Sequence, residues 1–102
     1  MVALHLLGLG VRARSVVVGT SGVRTALQKE KLALVVVPRD MSDRTRDKVV
    51  RLATARGVPL IEAPTARELG GIVGRREVQA VGVRDPDLAQ GIRAEYGEEM
   101  EG

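Results

Sequence analysis

The run from Val16 to Leu27 constrains the fold of this 102-residue chain more than any other stretch of its sequence. Three consecutive valines predict a short buried strand, and the glycines after them predict a turn. The next residues predict a helix over 21–30, capped by Thr20 or Ser21. A strand, a glycine turn and a helix start together expose free backbone N–H groups at the positive end of a helix. This arrangement favours a phosphate as the ligand.

Alternating helices and strands are predicted along the whole chain. Apolar residues at helical spacing predict helices, and continuous β-branched runs predict strands that are covered on both faces. Ser42, Thr65 and Asp85 are predicted to cap three of the helices, because each precedes a helical pattern. The alternation predicts a layered α/β fold with helices on both faces of a sheet. The predicted helices are residues 3–12, 21–30, 43–56, 66–73 and 86–96, and the predicted strands are residues 16–18, 32–37, 58–63 and 78–83.

The charge is distributed unevenly along the chain. Residues 1–92 carry fifteen basic and nine acidic side chains, a net charge of +6, whereas residues 93–102 carry one arginine and four glutamates, a net charge of −3. A basic body favours a polyanion as the partner. We expect a single domain over residues 1–96 and an acidic, frayed tail over residues 97–102 that competes for the basic face.

No residue set in the sequence is typical of catalysis or of a metal site. The chain contains no cysteine and a single histidine, His5, so that neither thiolate chemistry nor a catalytic triad is expected. The glycine turn lacks the lysine of a nucleoside triphosphate loop. The apolar residues 1–10 are too few to span a bilayer. We therefore expect a non-enzymatic, cytoplasmic protein with no cofactor, no metal and no membrane partner.

Three stretches of the chain resemble the ribosomal protein L-seven-Ae/L-thirty-e family, and in particular its small bacterial YlxQ-like branch. The first stretch is residues 6–19, and the second is residues 32–40 followed by a Ser/Thr-led helix. The third runs from Gly57 to Gly74 and combines a strand entry, a capping box and two glycines. The resemblance covers residues 3–92. It implies a three-layer α-β-α sandwich with a mixed four-stranded sheet.

The resemblance also implies a function, which is the binding of structured RNA of the kink-turn type, with ribosomal RNA among the candidates. We expect a monomer whose partner is structured RNA and not DNA. Two surfaces would contact the RNA: the glycine turn with the first turn of the next helix, and the loop between the third strand and the capping-box helix. By position, the first surface comprises Gly19, Thr20, Ser21, Gly22, Arg24, Thr25 and Gln28, and the second comprises Glu62, Ala63, Pro64 and Thr65. Arg12, Arg14, Lys29 and Lys31 flank this site and either neutralise phosphates or form a solvated rim.

The chain departs from the family's pattern inside the first surface. Family members that bind kink-turns have the pattern Gly-Thr-Asn-Glu-x-x-Lys, but Ser21, Gly22 and Thr25 occupy the Asn, Glu and Lys positions here. Ser21 cannot read a base edge with two hydrogen bonds, and Thr25 carries no charge. Arg24 supplies a charge about 100° around the helix. We therefore expect RNA binding with weakened or altered kink-turn specificity.

A protein-interaction adaptor on the same fold is the alternative. The two functions predict different surfaces. Convergence of Arg12, Arg14, Arg24 and Lys29 with residues 62–65 on one face would favour RNA. Dispersal of these cations around the fold, or an apolar patch in their place, would favour the adaptor.

Overall fold

Five helices and four strands alternate in the computed structural model, which describes residues 2–101 and the side chains of residues 3–100. The helices are α1 (Val2–Arg12), α2 (Thr20–Gln28), α3 (residues 43–55), α4 (Ala66–Ile72) and α5 (Pro86–Glu101). The strands are β1 (Val16–Val18), β2 (Leu34–Pro38), β3 (Leu60–Ala63) and β4 (Val81–Val83). No helix within residues 2–101 is both long enough and apolar enough to cross a membrane.

The four strands form one mixed sheet in the order β1-β4-β2-β3. Strand β4 lies antiparallel to both of its neighbours, with Gly82 opposite Val17 on one side and Val35 on the other. Strands β2 and β3 are parallel, with Val36 opposite Ile61. Strands β1, β2 and β3 therefore all finish at the end of the sheet where β4 begins. We call this the upper end of the sheet and the opposite one the lower end.

Helices cover both faces of the sheet. Alternate residues of β2 point to opposite faces, so that Leu34 and Val36 join one core cluster while Val35 and Val37 join the other. Helices α1, α4 and α5 pack on the first face, and α2 and α3 pack on the second. All five residues of β2 are buried, as its continuous β-branched run predicts. The predicted α-β-α sandwich with a mixed four-stranded sheet is confirmed.

Three of the predicted helix caps are confirmed. The Ser42 hydroxyl accepts a hydrogen bond from the Thr45 N–H at 3.1 Å. The Thr65 hydroxyl accepts one from the Glu68 N–H at 3.0 Å, and a carboxylate oxygen of Asp85 accepts one from the Asp87 N–H at 2.9 Å. Each bond satisfies an N–H group that the helix itself leaves free.

The cap predicted for α2 is wrong. Gly19 holds the cap position with φ 101° and ψ 151°, and neither Thr20 nor Ser21 caps the helix with its side chain, because both lie inside it. Helix α2 also ends at Gln28, two residues before the predicted end. A positive φ suits glycine because it has no Cβ, whereas a serine or threonine cap requires extended backbone.

The end of the chain also differs from the expectation. Residues 97–101 continue α5 as a helix where the sequence predicts a frayed tail, and residue 102 lies outside the described residues. Two contacts hold this segment. Tyr96 packs against the first core cluster, and a carboxylate oxygen of Glu99 accepts a hydrogen bond from the Ala3 N–H at 3.1 Å. Helix α3 contains a π-helical segment, Arg46–Val50, that no sequence pattern indicated.

Candidate nucleic-acid interface

The glycine turn lies at the upper end of the sheet and is held by the backbone. The Gly19 N–H donates to the carbonyl of Ala80 at 2.9 Å, and the Gly19 carbonyl accepts from the Val23 N–H at 3.0 Å. The N–H groups of the residues between Gly19 and Val23 have no partner within the helix. The first turn of α2 contains no acidic residue, so that nothing on the helix itself neutralises its positive end.

A cleft runs along one side of α2, between this helix and the outer edge of β1. Its floor is Val17, against which Gly22 packs so closely that a Cβ on Gly22 would lie 2.7 Å from the Val17 Cγ1 atom. The absence of a side chain at residue 22 therefore allows α2 to pack closely against β1 at the upper part of the cleft. We call this space of about 420 Å³ the α2–β1 cleft; it is lined by Val17, Ser21, Gly22, Thr25, Ala26, Lys29, Lys31 and Arg84.

The second predicted surface, residues 62–65, is tied to the segment that follows β2. The Arg39 N–H donates to the Ala63 carbonyl at 2.9 Å. A carboxylate oxygen of Asp40 accepts from the Ala66 N–H at 2.8 Å. Ala63 is only 1% exposed, so that its side chain cannot contact RNA, whereas Glu62 is exposed and Pro64 and Thr65 are half-buried.

Gln79 connects the elements between the two surfaces. Its side-chain oxygen accepts hydrogen bonds from the Ser42 N–H at 2.9 Å and from the Thr45 hydroxyl at 3.0 Å. Thr45 is 2% exposed, which makes this a partly buried polar contact. Gln79 thereby joins the start of α3 to Ala80, the residue that accepts from the glycine turn. The sequence predicted residue 79 within a strand and did not indicate this role.

The structure brings the glycine turn and residues 62–65 to the same end of the sheet, whereas Gln28, the last residue of α2, lies towards the lower end. The glycine turn follows β1 and residues 62–65 surround the end of β3, and these are the two outer strands. Three strand spacings separate them, which is about 14 Å. The two surfaces therefore flank the upper end of the sheet instead of touching each other.

The predicted basic residues lie in three separate places. Arg24 and Gln28 face α3 across a groove of about 340 Å³ that also contains Lys48 and Arg51. Lys29 lies in the α2–β1 cleft. The predicted cations therefore do not converge with residues 62–65.

Arg14 and Arg12 occupy the lower end of the sheet on different sides. The Arg84 guanidinium donates to the Arg14 carbonyl at 3.2 Å, which places Arg14 beside the lower end of the α2–β1 cleft. Arg12, at the end of α1, faces Gly71 and Ile72 of α4.

Lys31 and Arg84 extend the cationic part of the α2–β1 cleft. Sequence reasoning treated Lys31 only as a flanking residue and missed Arg84, because the pairing of β1 with β4 is what brings Arg84 to α2.

These surfaces offer binding groups and no evident reactive ones. Backbone N–H groups, the hydroxyls of Ser21 and Thr25, and exposed cations are donors suited to phosphate oxygens. Among the residues that the structure describes, no three His, Cys, Asp or Glu side chains lie close enough together to hold a metal ion.

Comparisons with known proteins agree with this architecture. A family model, described as the Ribosomal protein L7Ae/L30e/S12e/Gadd45 family, matches residues 2–92. An RNA-binding protein of Halalkalibacterium halodurans, BH0128, is 30% identical over 63 residues, which are 62% of this chain and 77% of that protein. A solved structure of a protein of unknown function from Bacillus halodurans C is 28% identical, with a TM-score of 0.83 over 90% of this chain and 93% of the other.

A more distant structure shares the fold. The 15.5 kDa RNA binding protein of Giardia lamblia is 19% identical and superimposes with a TM-score of 0.73, covering 96% of this chain and 83% of its own. At that identity the likeness shows the fold alone. The family match, in contrast, includes all four strands and the first four helices. The chain belongs to the Ribosomal protein L7Ae/L30e/S12e/Gadd45 family.

Proposed function

We propose that this protein is a non-enzymatic RNA-binding protein that contacts structured RNA with the upper end of its sheet. The observation that carries the proposal is the glycine turn, where the first N–H groups of α2 have no side-chain cap and the first turn contains no acidic residue. The relative BH0128, which is called an RNA-binding protein, supports it. The net charge of +6 over residues 1–92 favours an RNA partner.

The RNA that fits this surface is bent. Two contact surfaces about 14 Å apart would bracket a sharp bend, where phosphates crowd together and base edges become accessible in a widened groove. Kink-turns, including those of ribosomal RNA, are such elements, and we propose a monomer that meets them in the cytoplasm. Specificity is weakened or altered, because Ser21 and Thr25 lack the paired hydrogen bonds and the charge of the family pattern.

A protein-interaction adaptor is the second candidate function, and two observations favour it. The first is the dispersal of Arg12, Arg24 and Lys29 over separate surfaces, and the second is an apolar groove. This groove of about 450 Å³ lies between α1 and α4, lined by Leu6, Leu9 and Ile72 together with His5 and Arg12. Leu9 is 56% exposed and lies beside half-buried Leu6 and Ile72, so that the groove presents a contiguous apolar surface. The groove lies on the opposite face of the sheet from α2, so that RNA and a protein would not compete for one surface.

The test is to measure the affinity for a kink-turn RNA hairpin and for a straight RNA duplex of equal length, each at two salt concentrations. Tight binding of the hairpin alone would support kink-turn recognition through backbone donors. Equal, strongly salt-dependent binding of both would indicate a phosphate binder without shape selectivity. Binding of neither probe would contradict RNA binding and leave the adaptor.

A gain-of-function variant sharpens this test. The double substitution Ser21→Asn and Thr25→Lys returns two side chains to the family pattern. Each restored contact to RNA is worth about 1–3 kcal/mol. We expect the preference for the hairpin over the duplex to rise by tenfold or more, and an unchanged preference would argue against kink-turn contacts at these positions.

A further inference from the structure

We propose that the α2–β1 cleft binds the phosphate backbone of one RNA strand, which passes the glycine turn and runs along α2 to a cationic site formed by Lys29, Lys31 and Arg84. This inference rests on the proposed function. It extends the RNA-binding surface from the upper end of the sheet to the lower end. It also assigns a binding role to Lys31 and Arg84.

The shape of the cleft suits a single strand. Ser21, Thr25 and Lys29 are spaced four residues apart, so that they form one stripe along α2. Their separation along the helix axis is about 12 Å, which corresponds to about four stacked nucleotides of one strand. The upper two side chains are short and hydroxylic, and they can donate hydrogen bonds to phosphate or ribose oxygens.

The upper part of the cleft floor is formed by Gly22 of α2 and Val17 of β1, which are in contact. Gly22 packs directly against Val17, and any Cβ at residue 22 would meet the Val17 side chain. The upper part of the cleft is therefore bordered by the bare backbone of Gly22 and by the Val17 side chain. The opposite rim is β1, an outer strand of the sheet.

The cations at the lower end of the cleft form no ion pair with an acidic side chain among the described residues. The ion pairs within the described residues are Arg51 with Asp47 and Arg56 with Glu30, and neither involves a cation of the cleft. Asp85 follows Arg84 directly, but its carboxylate accepts from the Asp87 N–H at the start of α5. The cations of the cleft are therefore available to an external anion.

Hydrogen bonds within the protein hold Arg84 in position before any RNA binds. One of its guanidinium nitrogens donates to the Arg14 carbonyl at 3.2 Å, and its backbone N–H donates to the Ser15 carbonyl at 2.8 Å. Arg84 lines the cleft together with Lys29 and Lys31. Arginine with one donor anchored still presents others to a phosphate, and the anchoring lowers the entropy that binding would cost.

The test compares two triple variants that each remove three positive charges. The cleft variant is K29Q/K31Q/R84Q. The matched control is R75Q/R76Q/R93Q, whose residues are exposed and belong to the α4–β4 connection and to α5. Both full-length variants and the parent protein are titrated with the kink-turn hairpin and the straight duplex from 50 to 400 mM KCl, after circular dichroism has confirmed that they fold.

The cleft variant should bind RNA about 100-fold more weakly at 0.1 M salt, and the slope of log Kd against log salt should fall by about 2–3. The control should keep the slope of the parent protein to within about one unit. An equal loss of affinity in both variants would mean that only net charge matters and would contradict RNA binding in the cleft. An unchanged slope in the cleft variant would also overturn it while leaving the proposed function intact. Failure of the parent protein to bind either RNA would refute both.

Discussion

Gly22 of α2 packs against Val17 of β1 at a separation that leaves no space for a side chain. A Cβ at residue 22 would lie 2.7 Å from the Val17 Cγ1 atom. Valine is branched at Cβ, so that its methyl groups move only through a change of rotamer or of backbone. The position of the first turn of α2 relative to the sheet therefore depends on this pair.

Substitution of Gly22 by alanine should destabilise the protein although it improves helix propensity. The propensity gain is about 0.5–1 kcal/mol, whereas forcing a methyl group into a packed contact costs about 1–3 kcal/mol. We expect a net loss of about 1 kcal/mol in the free energy of unfolding, measured by urea denaturation. The double variant V17A/G22A should show a favourable coupling of about 1 kcal/mol in a double-mutant cycle.

Gly91→Ala is the matched control for that substitution. Gly91 lies inside α5, and no atom would lie within 4 Å of its added Cβ. This variant should gain about 0.5–1 kcal/mol of stability from helix propensity alone. If G22A and G91A changed stability equally, the contact with Val17 would have no energetic weight.

Gln79→Ala should destabilise the start of α3. The substitution removes one acceptor that serves both the Ser42 N–H and the Thr45 hydroxyl. An unpaired donor in a buried site costs about 1–3 kcal/mol, and Thr45 is 2% exposed. Gln79→Glu keeps an oxygen acceptor of the same length, so that it should retain most of the stability. Thermal unfolding of the two variants would separate loss of the acceptor from a general effect of substitution at this position.

Asp40→Ala should loosen the loop that precedes α4. The Asp40 carboxylate accepts from the Ala66 N–H at 2.8 Å, and the Thr65 hydroxyl accepts from the Glu68 N–H at 3.0 Å. Each of these helix-start contacts is worth about 1 kcal/mol. We expect D40A and T65A each to lower the free energy of unfolding by about that amount, and hydrogen exchange should quicken at Ala66 in the first and at Glu68 in the second. T65S should behave as the parent protein does.

Glu99→Ala should destabilise the start of α1. The Glu99 carboxylate accepts from the Ala3 N–H at 3.1 Å, and a negative charge at a helix N-terminus is favourable by about 0.3–1 kcal/mol. The expected loss is of that size and should shrink as salt is added. Exposed Glu98→Ala, one residue away in α5, serves as the control. Equal effects of the two substitutions would mean that the contact with α1 contributes nothing.

Three helix caps could be predicted from the sequence because the residues that form each cap are close together in the chain. A cap at Ser42, Thr65 or Asp85 depends on a hydroxyl or carboxylate within three residues of the N–H it accepts from. The cap of α2 was missed because the positive φ of Gly19 is a property of the whole turn, and two hydroxyl residues beside it offered a competing cap. The length of α5 was missed because its last turn contacts Ala3 of α1, which is 96 residues away in sequence.

The candidate site also combines parts that depend on residues close in sequence with parts that depend on distant ones. The glycine turn and residues 62–65 are each local in sequence, and their role as contact surfaces stays a prediction. Their common position at the upper end depends on the strand order, which brings together parts of the chain that are distant in sequence. The cationic part of the α2–β1 cleft requires Arg84 to meet Lys29, and this follows only from the antiparallel pairing of β1 with β4.

The position of β4 in the sheet has a consequence for how the protein is made. Within the described residues it is the last strand in sequence order, but it lies between β1 and β2, so that the sheet is incomplete until residues 81–83 leave the ribosome. The Gly19 N–H donates to the carbonyl of Ala80, which is synthesised about 60 residues later. At a synthesis rate of about 5–20 residues per second, the hydrogen bond cannot form for about 3–12 s. During this interval the valines of β1 lack a pairing strand and the glycine turn lacks its support. A nascent chain should therefore bind no RNA at this surface before residues 80–83 have left the ribosome.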